Sequence, residues 1–406
     1  MNTQQRNYVL VALVAGSIFA LGLGVRQAQP LFISSINSST GIGYAAISLA
    51  FAIGQLMWGV TMPIAGALAD RYSARAVMTT GALMVALGTA LTPLAHSELS
   101  LILLIGLVAA IGAGTLGPGL LMSTLARWVP EAKRSVATGI VNAGGSFGQF
   151  TVIPLAQLFI GLAGWQPAMV ILAVIGLGAI PAILYMTAAA PQAAVPAQAG
   201  AQPSGSLGSA VRDAFRDPSF LLLTAGFFTC GFHVAFIVTH LPGYVALCNL
   251  PAEVSAWSLA LVGLFNIFGS LWVGRVITGR SMKWTLSGIY FARALMILIF
   301  FLSPKTTLTF LIFACALGFS YLSTVPPTVG LVIKFYGPRY VATLFGLVML
   351  SHQIGAFLGA WLGGKVFEAN GNYDLMWFAD IALCVFAAAV HLPIKEPKPR
   401  LAAAPA

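Results

Sequence analysis

The sequence predicts an all-α membrane protein of twelve transmembrane helices, arranged as two pseudo-symmetric six-helix bundles. Three observations carry this expectation. Of 406 residues, 59% are hydrophobic and only 7% charged, with a mean hydropathy of +0.92; a soluble domain carries about 25% charged residues. Apolar runs of ~20 residues, enough to cross a ~30 Å hydrocarbon core as a helix, recur from end to end. Finally, the two halves of the chain echo one another at a nearly constant spacing.

Taken in order, the first apolar run spans about 8–33. It is too long for a signal-peptide core and has no small-residue cleavage site, so it reads as an uncleaved first helix. Five more spans follow at roughly 44–68, 76–95, 100–125, 135–161 and 167–187, closing a first bundle over 1–187. Residues 188–218, rich in Ala, Pro, Gln and Gly, read as a flexible tether with a short amphipathic surface segment around Val211–Phe215. The second bundle, 219–406, holds spans at roughly 219–246, 254–276, 284–303, 307–333, 341–366 and 373–394, then a short tail. The 43 glycines and 22 prolines are compatible with this, because neighbouring helices cover backbone that such residues expose. The four cysteines have no metal-ligand spacing and imply no disulfide.

Charge sets the orientation. With both termini in the cytoplasm, sixteen of the twenty Lys and Arg residues face inward. Lys305 and Lys365 face outward, and Arg26 and Arg293 lie within spans. This bias is the signature of a multi-pass protein of a bacterial cytoplasmic membrane. The net charge of +10 therefore records topology and not a nucleic-acid partner. The repeat supports two bundles: GALADRYSAR (66–75) and GRVITGRSMK (274–283) stand 208 positions apart, and the VAT of RSVATGIVNAGGSFG and RYVATLFGLVMLSHQIG recurs at 205. Two similar bundles around a midplane site are the architecture of rocking-bundle transporters. No P-loop, paired catalytic carboxylates, metal cluster or HExxH motif points to an enzyme or to a cofactor.

The stretch Gly66-Ala-Leu-Ala-Asp70-Arg71-Tyr-Ser-Ala-Arg75 resembles the signature loop of the major facilitator superfamily between helices two and three. The resemblance implies a conformational latch of Gly66, Asp70, Arg71 and Arg75, with Asp70 docking near the start of helix eleven in the outward-open state. A carboxylate is stabilised at a helix N-terminus, so the physics agrees. The second-half copy has Thr278 and Gly279 where the acid and base would stand. Arg127-Trp-Val-Pro, Pro154-Leu-Ala-Gln157, Gly164-Trp165 and a charged first helix resemble the bacterial relatives of monocarboxylate porters and the oxalate-formate antiporter group. The helix-five pattern of drug/proton antiporters is absent. Helix eight departs from the porters: Asn266 and Ser270 stand where an acid and an arginine are expected, so proton coupling through that acid is in doubt.

An ionisable group inside a bilayer costs at least a few kcal/mol and demands a reason. Of the ten acids, only Asp380 falls clearly within a span. Arg26, in GLGVRQAQPLF, therefore has no cavity acid to neutralise it, and its fork of donors suits a carboxylate. The expected cargo is a small organic anion, with an exporter of neutral or hydrophobic compounds as the alternative. A proton or a counter-anion is the possible second partner, and the protein reads as a monomer. His352 and His233 are candidates for a second charge or a proton site; His240 reads as structural. Gln29, Gln55, Asn142, Asn266, Gln149, Gln353, Tyr321, Ser323 and Thr324 are polar candidates on cavity helices, the last three helped by a break at Pro326 and Pro327. Gly139, Gly144, Gly145 and Gly148 suggest close helix packing. Arg293 and Asp380 are expected to pair behind the cavity.

Overall fold

The computed structural model describes residues 3–126, 128–130, 133–188, 207–337 and 340–397. Residues 189–206 of the expected tether, Arg127 of the porter-like motif, and the basic residues Arg339, Lys398 and Arg400 lie outside them. Among the described residues, twelve helices are long and apolar enough to cross a membrane: α1 Tyr8–Thr40, α2 Tyr44–Arg71, α3 Ala74–Leu94, α4 Glu98–Leu125, α5 Val136–Ala163, α6 Trp165–Ala188, α7 Pro218–Leu247, α8 Ala252–Val276, α9 Met282–Leu302, α10 Thr307–Tyr336, α11 Thr343–Asn370 and α12 Asp374–His391. An even number of crossings puts both chain ends on one face, called here the termini face; the other is the far face. The first span runs on to Thr40 through a 3-10 turn at Gln29–Phe32, where Pro30 interrupts the ladder by lacking an N–H. In the connecting segment, Leu207–Arg216 is a helix with Ala214 fully buried, longer than the amphipathic stretch expected there.

Packing within each half follows small residues. α1 lies along α5, where a Cβ at Gly144 would overlap the backbone of Gly16 and one at Gly148 the carbonyl of Ala20. Gly145 packs on Phe19, whereas Gly139 faces open space and is no packing glycine. α7 runs along α11 and α9 along α12. Across the halves, α2 packs on α11 and α5 on α8.

The cross-half contacts lie at mid-depth and toward the far face. Gly364 meets Ser48, and the Glu368 carboxylate accepts a hydrogen bond from the N–H of Ala45 at 2.7 Å, in the first turn of α2. At the termini face the second half is fastened by its tail. Glu396 accepts hydrogen bonds from Lys334 Nζ (2.6 Å), Ser281 Oγ (2.5 Å) and the N–H groups of Met282 and Lys283 at the start of α9. Burial pushes the Glu396 carboxyl up, but these donors outweigh it and hold the group below its ordinary value.

Two spans break in matching places. α10 is helical over Thr307–Ser320 and again over Val325–Tyr336, with Pro326 and Pro327 in the first turn of the second piece. α4 breaks at Leu116–Gly117, with Pro118 opening its last piece. Pro118 and Pro326 stand 208 positions apart, the spacing of the loop repeat.

Candidate functional site

Arg26 sits at mid-depth on α1, half-buried, and turns inward rather than toward either surface. Its guanidinium donates to Gln55 Oε1 on α2 and, at 3.5 Å, to Gln27 Oε1. It also lies 4.8 Å from the ring centre of Trp58, within range for a cation–π contact. No carboxylate among the described residues comes within ion-pair distance of it. Gln27, Gln29, Gln55, Val238 and Thr239 join it around a narrow cavity of about 20 Å³ shared by α1, α2, α3, α4 and α7. That volume accommodates a water molecule and is too small for an organic anion, so cargo entry requires the helices to part.

From Arg26 a polar chain crosses into the second half. Gln353 on α11 donates to the backbone carbonyl of Gln55, and His352 Nδ1 donates to Gln353 Oε1 at 2.9 Å. Tyr321, in the break of α10, stands close to Gln27 and to the Arg26 charge. Arg26, Gln27, Gln55, Gln353, His352 and Tyr321 thus form one connected set. Gln29 lines the same cavity and donates to Thr89 Oγ1 at 3.4 Å.

The remaining candidates fall elsewhere. Asn266 joins the halves: its Nδ2 donates to Ser146 Oγ at 2.9 Å, and its Oδ1 accepts from the N–H of Leu322 at 3.1 Å. Gln149 donates to the Leu259 carbonyl at 3.0 Å, so it and Ser146 both serve the α5–α8 contact. Asn142 lies one turn nearer the termini face and is exposed. Thr324 is fully buried against Cys230 Sγ at 3.3 Å, and Ser323 bonds back to Phe319. His240 donates to the Ala360 carbonyl at 2.7 Å, a structural role.

Two expectations are corrected. Arg293 and Asp380 do not pair. Arg293 donates to the carbonyls of Ser320 and Tyr321, the latter at 2.9 Å, and to Cys230 Sγ. The break in α10 frees these carbonyls, and a bilayer interior offers no water to satisfy them; the guanidinium supplies the missing donors. Asp380 instead accepts from His233 Nδ1 at 2.7 Å. His233 is fully buried in that pair and does not line the cavity. Of the expected latch, Asp70, Arg71 and Arg75 are exposed; Asp70 makes no hydrogen bond or ion pair among the described residues, and Arg71 stacks on Tyr72.

Twelve spans in two repeated halves, enclosing at mid-depth a small cavity with Arg26 and three glutamines in its wall, define a membrane permease. The chain belongs to the Major Facilitator Superfamily, whose family model matches residues 12–360. It is a transporter and not an enzyme. Among curated relatives it is 27% identical to monocarboxylate transporter 13 of Rattus norvegicus, over 90% of this chain and 83% of that one. It is 26% identical to the oxalate:formate antiporter of Oxalobacter formigenes, over 60% of this chain and 57% of that one. The fold superposes on a crystal structure of a bacterial homologue of the human lysosomal transporter Spinster, inward-facing and occupied, with a TM-score of 0.73, 17% identity, and 96% and 97% of the two chains covered.

Proposed function

We propose that this transporter moves a small organic anion, a mono- or dicarboxylate, by alternating access, with Arg26 as the principal substrate contact. One observation carries the reading: a guanidinium at mid-membrane whose partners are amides and an aromatic face, with no carboxylate beside it among the described residues. Glutamine oxygens satisfy its hydrogen bonds but leave its charge uncompensated, and in a low-dielectric cavity an anion is its natural partner. The names of the relatives, carboxylate carriers of two kinds, support the same class. Gln55, Gln27, Tyr321, Gln353 and His352 orient the cargo, and Asn142 lies on its path from the termini face. The Lys and Arg bias supports a cytoplasmic termini face in a bacterial cytoplasmic membrane.

Proteoliposomes test this with exchange of radiolabelled formate, oxalate and lactate. Arg26→Ala is expected to lower exchange of the accepted anion by about 30-fold or more, as for truncating one partner of a buried charge pair, while the purified variant stays monodisperse. Arg26→Lys is expected to recover part of it, because charge returns without the fork. Full exchange by Arg26→Ala overturns the assignment.

A further inference from the structure

A buried titratable pair stands apart from the anion site. His233 on α7 and Asp380 on α12 are both fully buried, with His233 Nδ1 at 2.7 Å from Asp380 Oδ2. Their other polar atoms, His233 Nε2 and Asp380 Oδ1, have no hydrogen-bond partner among the described residues. A carboxylate buried in this way, with one oxygen unsatisfied, is among the costliest groups a membrane helix can carry. With neutral imidazole the pair carries a net negative charge; with imidazolium it is neutral. One proton therefore changes the pair's charge state inside a core closed to water. Cys384 on α12 feels the Asp380 charge, and behind it lie Cys230 on α7, Arg293 and Tyr290 on α9, Tyr321 on α10 and His352 on α11, which act on one another. Arg293 is the only fixed charge in that group, and the α10 carbonyls and Cys230 occupy its donors.

We infer that the His233–Asp380 pair is the proton-binding site of this transporter, separate from the anion site and coupled to it through α7 and the break in α10. The coupling path is made of contacts. Cys230, one turn before His233 on α7, touches Thr324 and the Tyr321 carbonyl at the break, and the Tyr321 side chain reaches Gln27 beside Arg26. Later on α7, Val238 and Thr239 line the cavity itself. Loading a proton neutralises the pair and favours the packed α7–α12 arrangement seen here; releasing it leaves a buried anion that favours solvent access. A monoanion on Arg26 with a proton on the pair makes an electroneutral load, which fills the place left empty by Asn266 and Ser270 on α8. Cys384 Sγ stands within 4.8 Å of the pair, so a divalent metal deserves comparison. Two donors on one tetrahedral ion at about 2.1 Å stand roughly 3.4 Å apart, and the 2.7 Å separation is that of a hydrogen bond.

The proposal rests on the anion reading only for its coupling half, and the experiment separates the two. Wild-type protein labelled with 15N-histidine is titrated by NMR without substrate, with His233→Gln identifying the resonance and Asp380→Asn as the partner control. His233 is expected to change protonation state in the course of the titration, and that change is expected to be altered or lost in Asp380→Asn. A His233 that keeps one protonation state throughout overturns the proposal, whatever the variants do. In proteoliposomes, an inward pH gradient is then expected to drive accumulation of formate, oxalate or lactate by the wild type, while His233→Gln and Asp380→Asn exchange the anion but ignore the gradient. Gradient-driven accumulation by either variant overturns it too. If His233 titrates and none of the three anions moves, the anion reading fails and the proton site stands.

Discussion

At the scale of single residues, the two ionisable groups deep in the second half divide the work differently from a simple ion pair. Arg293 serves backbone: three of its contacts are the Ser320 and Tyr321 carbonyls and the Cys230 thiol. Asp380 serves a histidine. Removing Arg293 leaves two buried carbonyls unsatisfied at about 1–3 kcal/mol each, and Arg293→Met is expected to destabilise by about 2–3 kcal/mol. Asp380→Leu orphans His233 instead. Because the two losses have different partners, the double variant should lose close to the sum of both, measured by denaturation of purified protein in detergent. A double variant more stable than either single one would restore the direct pair. The sequence made Arg26 legible, because a cation in an apolar run with no acid nearby has few uses. Arg293 was equally visible, but its partners were not: main-chain carbonyls have no residue signature, and the only acid at similar depth drew the inference. The His233–Asp380 pair spans 147 positions, and nothing local in either stretch points to the other.

Helix contacts and helix breaks set what each element does. α5 can lie against α1 only because glycines face Gly16 and Ala20; the helix backbones touch where side chains would otherwise stand. Gly148→Val is expected to cost about 1–3 kcal/mol by overpacking and to lower the folded yield, with size-exclusion profile and apparent melting temperature as the measurements. Gly139→Val, at an open position on the same helix, is expected to change neither. A Gly148→Val protein as stable as the wild type would mean that α1 and α5 are not closely apposed. The glycine run was readable in sequence as a packing surface, while the exception at Gly139 depends on which face the helix turns to its neighbour. The α10 break was readable from Pro326 and Pro327. Its counterpart in α4 was there to find at Pro118, 208 positions earlier, but a single proline beside glycines reads as an ordinary loop until the repeat is aligned through it.

For the whole molecule, the arrangement of the two faces is the functional fact. At the far face Glu368, near the end of α11, caps the start of α2. At the termini face Asp70, at the end of α2, is exposed and unbonded among the described residues. α2 and α11 run antiparallel, so the two carboxylates hold opposite ends of one helix pair: the end of one helix meets the beginning of the other. The state seen here uses the Glu368 contact, and the opposite state is expected to use Asp70 against the start of α11. A hydrogen bond to a charged group contributes about 1.5–3 kcal/mol, and each 1.4 kcal/mol changes a population ratio about tenfold. Glu368→Gln should therefore shift the equilibrium toward an open far face, and Asp70→Asn should shift it the other way. Ser48, fully buried where α2 meets Gly364 of α11, reports the change. In a variant whose native cysteines are replaced, Ser48→Cys should react with a membrane-impermeant thiol reagent several-fold faster when Glu368→Gln is added, and more slowly when Asp70→Asn is added. Equal labelling rates in all three backgrounds would separate these carboxylates from gating and leave closure to the apolar and small-residue contacts of α2 with α11 and α5 with α8.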